Sequence, residues 1–188
     1  MAGFGAQYPN FAPIDTQPVG ALPTYKSEDK VTIGHLVGAT LTVNNATAEM
    51  YGDDRLIEEI SEFISGSIAM ETDDLALDVA GTLFGTEISE SGQLGFKSSD
   101  TSPPGGLTYI KVLMRNKVKV FKGYYYPLVK ASMGNDTATT KSASTNFSST
   151  PTNFTVFPCN DDHWVILEEF DTLAAAKTWC DAQLGVTE

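Results

Sequence analysis

Pairs of identical adjacent acids are the first groups in this chain that could do chemistry: Asp53-Asp54, Glu58-Glu59, Asp73-Asp74, Asp161-Asp162 and Glu168-Glu169. Glycoside hydrolysis uses two carboxylates facing each other across a sugar. Neighbours on a strand point to opposite faces, so a sequential pair is poor material for such a couple. Asp53-Asp54 and Asp73-Asp74 read better as turn or capping residues, whose short side chains accept hydrogen bonds from nearby backbone N–H groups. His35 and His163 have no partners at zinc spacing, and Cys159 and Cys180 form no Cys-x-x-Cys. No segment alternates oxygen ligands toward a closing Glu as a calcium loop does. A nucleophile elbow and a phosphate-cradling glycine loop are also missing from the sequence. Tyr124-Tyr125-Tyr126 lies near bases and could stack on nucleobases, but its apolar strand context favours packing. The expectation is therefore a non-enzyme with no catalytic, metal-binding or cofactor-binding residues and no cofactor.

Composition points the same way. The 188 residues suit one domain with a core large enough to need no disulfides, and the two cysteines read as small buried hydrophobes. No apolar run reaches a membrane span, and the N-terminus lacks the pattern of a signal peptide, so folding in the cytosol is expected. The net charge of −12 is unevenly placed. Residues 46–90 hold twelve acids and one base, Arg55, whereas residues 97–130 hold seven bases and one acid, Asp100. A DNA-binding protein is disfavoured by this balance. Either the acidic block is a solvated surface, or it meets the basic block of another copy head to tail.

The elements that must position these charges follow from periodicity. Residues 1–27, with Pro9, Pro13, Pro18 and Pro23, read as an extended N-terminal arm. Some of its aromatics, Phe4, Tyr8, Phe11 and Tyr25, are expected to pack on a neighbour, and removal of residues 2–20 is expected to leave a folded monomer. Residues 28–188 are expected to form a single β domain. Strands are expected at 31–34, 39–43, 109–114 and 117–122, the last two joined by a turn at Arg115-Asn116. In the second of these, Lys117 and Lys119 share one face with Phe121, and Lys122 lies on the other with Val118 and Val120. Helix signals place one helix at about 73–84, capped by Asp73 or Asp74 and stopped by Gly85, and another at about 171–183, ended by Gly185. Residues 92–106 read as a loop and 132–152 as a mobile Ser/Thr-rich connection. Further strands are expected at 153–158 and 164–168. At 55–64 the apolar spacing Leu56, Ile60, Phe63, Ile64 is that of a helix.

Taken in order, Gly34 to Val43, Tyr51-Gly52-Asp53-Asp54, Phe63 with Ser65-Gly66, Asp73-Asp74-Leu75, Leu83-Phe84-Gly85 and the two-strand unit 107–126 resemble the major tail proteins of long-tailed, non-contractile bacteriophages. The resemblance covers roughly residues 20–130. It implies a mainly β fold, a β-sandwich or partial barrel with one flanking and one C-terminal helix. It turns 55–64 into a strand, paired through Ser65-Gly66 with 67–70. The implied function is structural: self-assembly into stacked hexameric rings that form the tail tube and conduct genomic DNA. The implied location is the virion tail, with assembly in the host cytoplasm. Implied partners are other copies of the chain, a tape measure protein, tail terminator or baseplate proteins, and double-stranded DNA passing without sequence-specific contacts; no membrane is implied. Glu58, Glu62 and Glu71 are the candidates for a phosphate-repelling lumen. Tyr8, Phe11, Tyr25, Lys117, Lys119 and Lys122 are the candidates for subunit contacts. Alternatives are the tube of a phage-tail-like bacteriocin or secretion system, a hydrolase carried in the virion, and a monomeric adhesin-like β domain.

Overall fold

Antiparallel strands make up most of the molecule, a computed structural model that describes residues 2–135 and 149–186. In chain order the elements are β1 (Ala2–Thr16), β2 (Thr24–Tyr25), β3 (Val31–Thr32), β4 (Leu36–Gly52), β5 (Arg55–Thr72), α1 (Leu77–Phe84), β6 (Pro104–Arg115), β7 (Val118–Met133), β8 (Thr150–Val156), β9 (Ile166–Phe170) and α2 (Leu173–Gln183). The strands join in the order β2-β1-β6-β7-β8-β5-β4, with β3 also on β1 and β9 also on β7. The far strand β4 comes back beside β1, so the sheet curls around its core.

Inside the curl lie Phe11, Ile33, Ile68, Met70, Leu107, Tyr126, Val129, Phe154 and Val156, roofed by Val79, Leu83 and Phe84 of α1. The opposite face of β6 and β7 is covered by α2 and the residue that follows it, which bury Ala176, Cys180 and Leu184 against Ile110 and Tyr125. Gly123 makes that docking possible: a Cβ there would sit 2.6 Å from Cζ3 of Trp179. Thr172 caps α2, its hydroxyl accepting from the N–H of Ala175 at 3.3 Å. Both cysteines are buried and free, and burial pushes the Cys180 thiol up to about 12.

Several expectations need correction. Residues 1–27 do not form an arm outside the domain, because β1 pairs along most of its length with β6. Prolines argue against an inner strand only where a ladder N–H is needed, and Pro9 falls where the register slips between Gln7 and Asn10. Tyr8, at that bulge, takes φ 60°. The first helix starts at Leu77, with Ala76 at its N-cap and no side-chain cap. Asp73 instead accepts from the backbone N–H of His35 (2.6 Å) and pairs with its ring (2.8 Å), tying the start of β4 to the end of β5. Gly85, at φ 70°, closes the helix as its sequence position suggests. Residues 104–106 belong to β6, β8 starts at Thr150, and β9 spans Ile166–Phe170. The 107–126 hairpin turns at Asn116 and Lys117, at φ 50° and 66°, so Lys117 lies in the turn. Most of the Ser/Thr-rich connection, 136–148, lies outside the described residues.

Residues 55–64 form a strand, as the resemblance requires and the helical period does not. Its partner differs from the one expected. Ser65-Gly66 makes no turn; β5 runs straight through to Thr72 and pairs with β4 around the turn at Asp53-Asp54, both residues in the left-handed region at φ 50° and 57°.

A candidate assembly surface

The two longest strands, β4 and β5, outrun the core. From residue 42 to residue 62 every described side chain is exposed. β8 pairs only with the Gly66–Thr72 part of β5, and β4 ends the sheet. Among the described residues the outer half is therefore a two-stranded ribbon with both edges open. Such a ribbon is marginal in water when it stands alone, and open edges are templates for pairing with another chain. It also exposes Met50, Tyr51, Leu56, Ile57, Ile60 and Ile64, interleaved with acids. Clustered exposed apolar surface of this kind marks an interaction surface. Phe63 anchors its base, stacked on Trp164 with ring centroids 4.3 Å apart.

The ribbon's two faces differ, and a bulge sets the difference. Asn44 pairs with Ser65 but Asn45 pairs with Phe63, so Ile64 is skipped. Even and odd positions of β5 exchange faces there. As a result Glu58 and Glu62 lie on the same face as Glu71, although strict alternation would separate them. That face is turned away from the core, because its neighbours Met70 and Thr72 are buried and Glu71 is exposed. Its other members near the base are short and polar: Thr40, Thr42, Ser65 and Ser67, joined by Asn153 and Thr155 of β8 through the pairing. The structure thus brings the three lumen candidates onto one broad, exposed surface, with Met50 and Ile60 beside Glu58 and Glu62 and short polar residues nearer the base. The opposite face of the ribbon carries Glu49 and Glu59, directly paired, with Ser61 and Phe63 following toward the core.

The aromatic contact candidates are used within the chain. Phe11 is fully buried, and Tyr25 is buried with its hydroxyl at 2.6 Å from that of Tyr125, donating to the carbonyl of Pro127 at 2.8 Å. Burial raises the Tyr25 phenol and pushes that of Tyr125 up to about 12, so both stay protonated. Tyr8 donates to the Asp181 carboxylate at 2.9 Å, and Lys30 pairs with the same carboxylate, so β1 is clamped to α2. Burial works against the Lys30 charge, but Asp181 more than compensates and raises its pKa. None of these three aromatics is available as an outward anchor in the way expected. Lys117 and Lys119 are exposed, while Lys122 is half-buried with its ammonium 5.9 Å from the Tyr124 ring centroid.

Sequence reasoning passed over the ribbon's exposed Tyr51, Ile57 and Ile60, and Glu49 with them. The signal was present as two strand-length runs flanking Asp53-Asp54 without an apolar face that either could bury. Elsewhere, a surface hollow of about 550 Å³ is lined by Thr86, Glu87, Ser89, Lys97 and Asp100. Asp100 there accepts from the Lys97 N–H (2.8 Å) and the Thr86 hydroxyl (3.2 Å), which makes it a loop-closing carboxylate. Among the described residues no cluster of three or more His, Cys, Asp or Glu could hold a metal, and no helix is long and apolar enough to cross a membrane.

Fold and surface together define a class: a mainly antiparallel β protein with two helices and an overhanging, open-edged ribbon. Compared with known proteins, the chain matches no family model and no curated sequence.

Proposed function

We propose that this chain is a structural subunit that assembles with copies of itself into stacked hexameric rings, the tail tube of a bacteriophage. The ribbon carries this reading: half of β4 and β5 stands outside the core with open edges and exposed apolar side chains, which a neighbouring copy would cover. Ring closure gives each open edge a partner and removes the hazard of unlimited strand addition. The face of Glu58, Glu62 and Glu71 then lines the channel. Carboxylates there repel phosphate, and short Ser, Thr and Asn side chains offer a passing duplex no groove-reading contacts. Copies of the chain and transiting DNA are the partners in this account, and the virion tail is the location.

Replacing residues 45–62 by a two-residue turn tests the reading. The shortened chain should keep its fold, since those residues lie outside the core clusters. It should remain monomeric where the full chain assembles. Assembly of the shortened chain at normal yield would sink the proposal.

A further inference from the structure

We infer that each copy is joined to the next by its β4–β5 ribbon lying on the turn end of the neighbour's β6–β7 hairpin, with Glu49 and Glu59 against Lys111 and Lys122. The inference rests on the assembly reading above and names the contact that reading requires.

Each hairpin carries a directly opposed like-charge pair, the one in β6–β7 having Glu169 across from Lys122 on its other side. In the ribbon, the register sets Glu49 directly opposite Glu59. Like charges in that position repel and destabilise the pairing. The hydroxyl of Tyr51 donates to Glu49 at 2.5 Å, which satisfies an oxygen but supplies no positive charge. No ion pair reaches either glutamate among the described residues. Exposed Tyr51 and its cross-strand partner Leu56 follow on the same face, so this end of the ribbon is both acidic and apolar.

The other hairpin is its counterpart. The register sets Lys111 opposite Lys122, and on the same face Leu113 opposite Val120. Val118, next on that face, is 60% exposed. Lys111 has no ion pair among the described residues. Arg115 is engaged by Glu169 at 3.0 Å and is left out of the contact. This end is basic and apolar.

Cross-strand pairs in any antiparallel sheet have the same separation, roughly 5 Å between Cβ atoms. Two carboxylates held at that spacing therefore match two ammonium groups held at the same spacing. The lysine stems lie along apolar surface while their charges reach the acids, and Val118 and Val120 meet Tyr51 and Leu56. Among the described residues no ion pair joins the two hairpins within one chain. A contact between two different patches is heterologous and propagates from copy to copy, as a ring needs.

Two double variants test this: Glu49→Lys with Glu59→Lys, and Lys111→Glu with Lys122→Glu. Each alone sets like against like, so the concentration at half-assembly should rise about tenfold or more, since juxtaposed like charges cost several kcal/mol. Mixed in equal amounts, the two should co-assemble near the wild-type concentration, because alternating copies restore every contact. Circular dichroism establishes that both fold; if Lys122→Glu unfolds the chain beside Glu169, Lys111→Glu alone takes its place. Either reversal assembling like wild type, or folded variants failing to recover on mixing, overturns the inference and leaves the assembly reading standing. A wild-type chain that stays monomeric overturns both.

Discussion

Ile57 offers the sharpest test that the ribbon's apolar residues serve contact rather than folding. It is 63% exposed in the isolated chain and belongs to no core cluster. That exposure is roughly 110 Å² of mostly apolar surface, which at about 25 cal/mol per Å² is worth up to about 3 kcal/mol if a neighbour covers it completely. Incomplete coverage brings this to about 2 kcal/mol, which is close to a thirtyfold change in an association constant. Replacing Ile57 by Ser should leave the melting transition of the monomer within about 0.5 kcal/mol of wild type, as for other exposed sites. Sedimentation velocity across a concentration series should show half-assembly displaced about thirtyfold upward. A variant that assembles at the wild-type concentration refutes the reasoning, as does one whose monomer loses several kcal/mol of stability.

Other perturbations probe the scaffold. Deleting residues 2–16 should unfold the chain, because β1 supplies Phe11 and the outer partner of β6; circular dichroism of a folded truncation would contradict the assigned topology. Asp181→Asn removes the charge shared by Tyr8 and Lys30 and should cost about 2 kcal/mol in urea unfolding, the scale of hydrogen bonds to charged groups. Gly123→Val places a branched side chain where Trp179 packs, so α2 should detach, seen as a red shift and increased quenching of tryptophan fluorescence. The pKa of Asp73 is lowered by hydrogen bonds from the His35 backbone and ring. Its contribution is therefore present above the ordinary aspartate pKa of about 3.9 and is lost as pH falls through the lower folded value. Asp73→Asn should remove that part of the acid dependence, and an unchanged profile would show that the contact carries none of it.

The sequence made some of this legible and hid the rest for identifiable reasons. The β6–β7 hairpin was readable because its alternation survives in a half-exposed sheet, and α2 because Thr172, its apolar positions and Gly185 agree. β1 was misread because four prolines near the N-terminus resemble a linker, and a bulge that absorbs Pro9 leaves no separate sequence mark. At residues 55–64 the helical spacing of Leu56, Ile60, Phe63 and Ile64 had no helix behind it. Most of those side chains face solvent in the monomer, so no core of this chain selects their period. The common face of Glu58, Glu62 and Glu71 was chosen on charge alone, and it depends on the skipped Ile64, which pairing reveals and residue order does not. Asp53-Asp54 was readable as a turn, but the turn joins β4 to β5 rather than opening a short hairpin at Ser65-Gly66.

Electron microscopy of the purified full chain at rising concentration, followed by image reconstruction, tests the central claim most directly. The account predicts hollow tubes or rings of six copies, with the β4–β5 ribbons adjoining around the channel and Glu58, Glu62 and Glu71 turned toward it. Particles that remain single 20.2 kDa subunits at the highest concentration, or tubes in which that face is buried or turned outward, would contradict it.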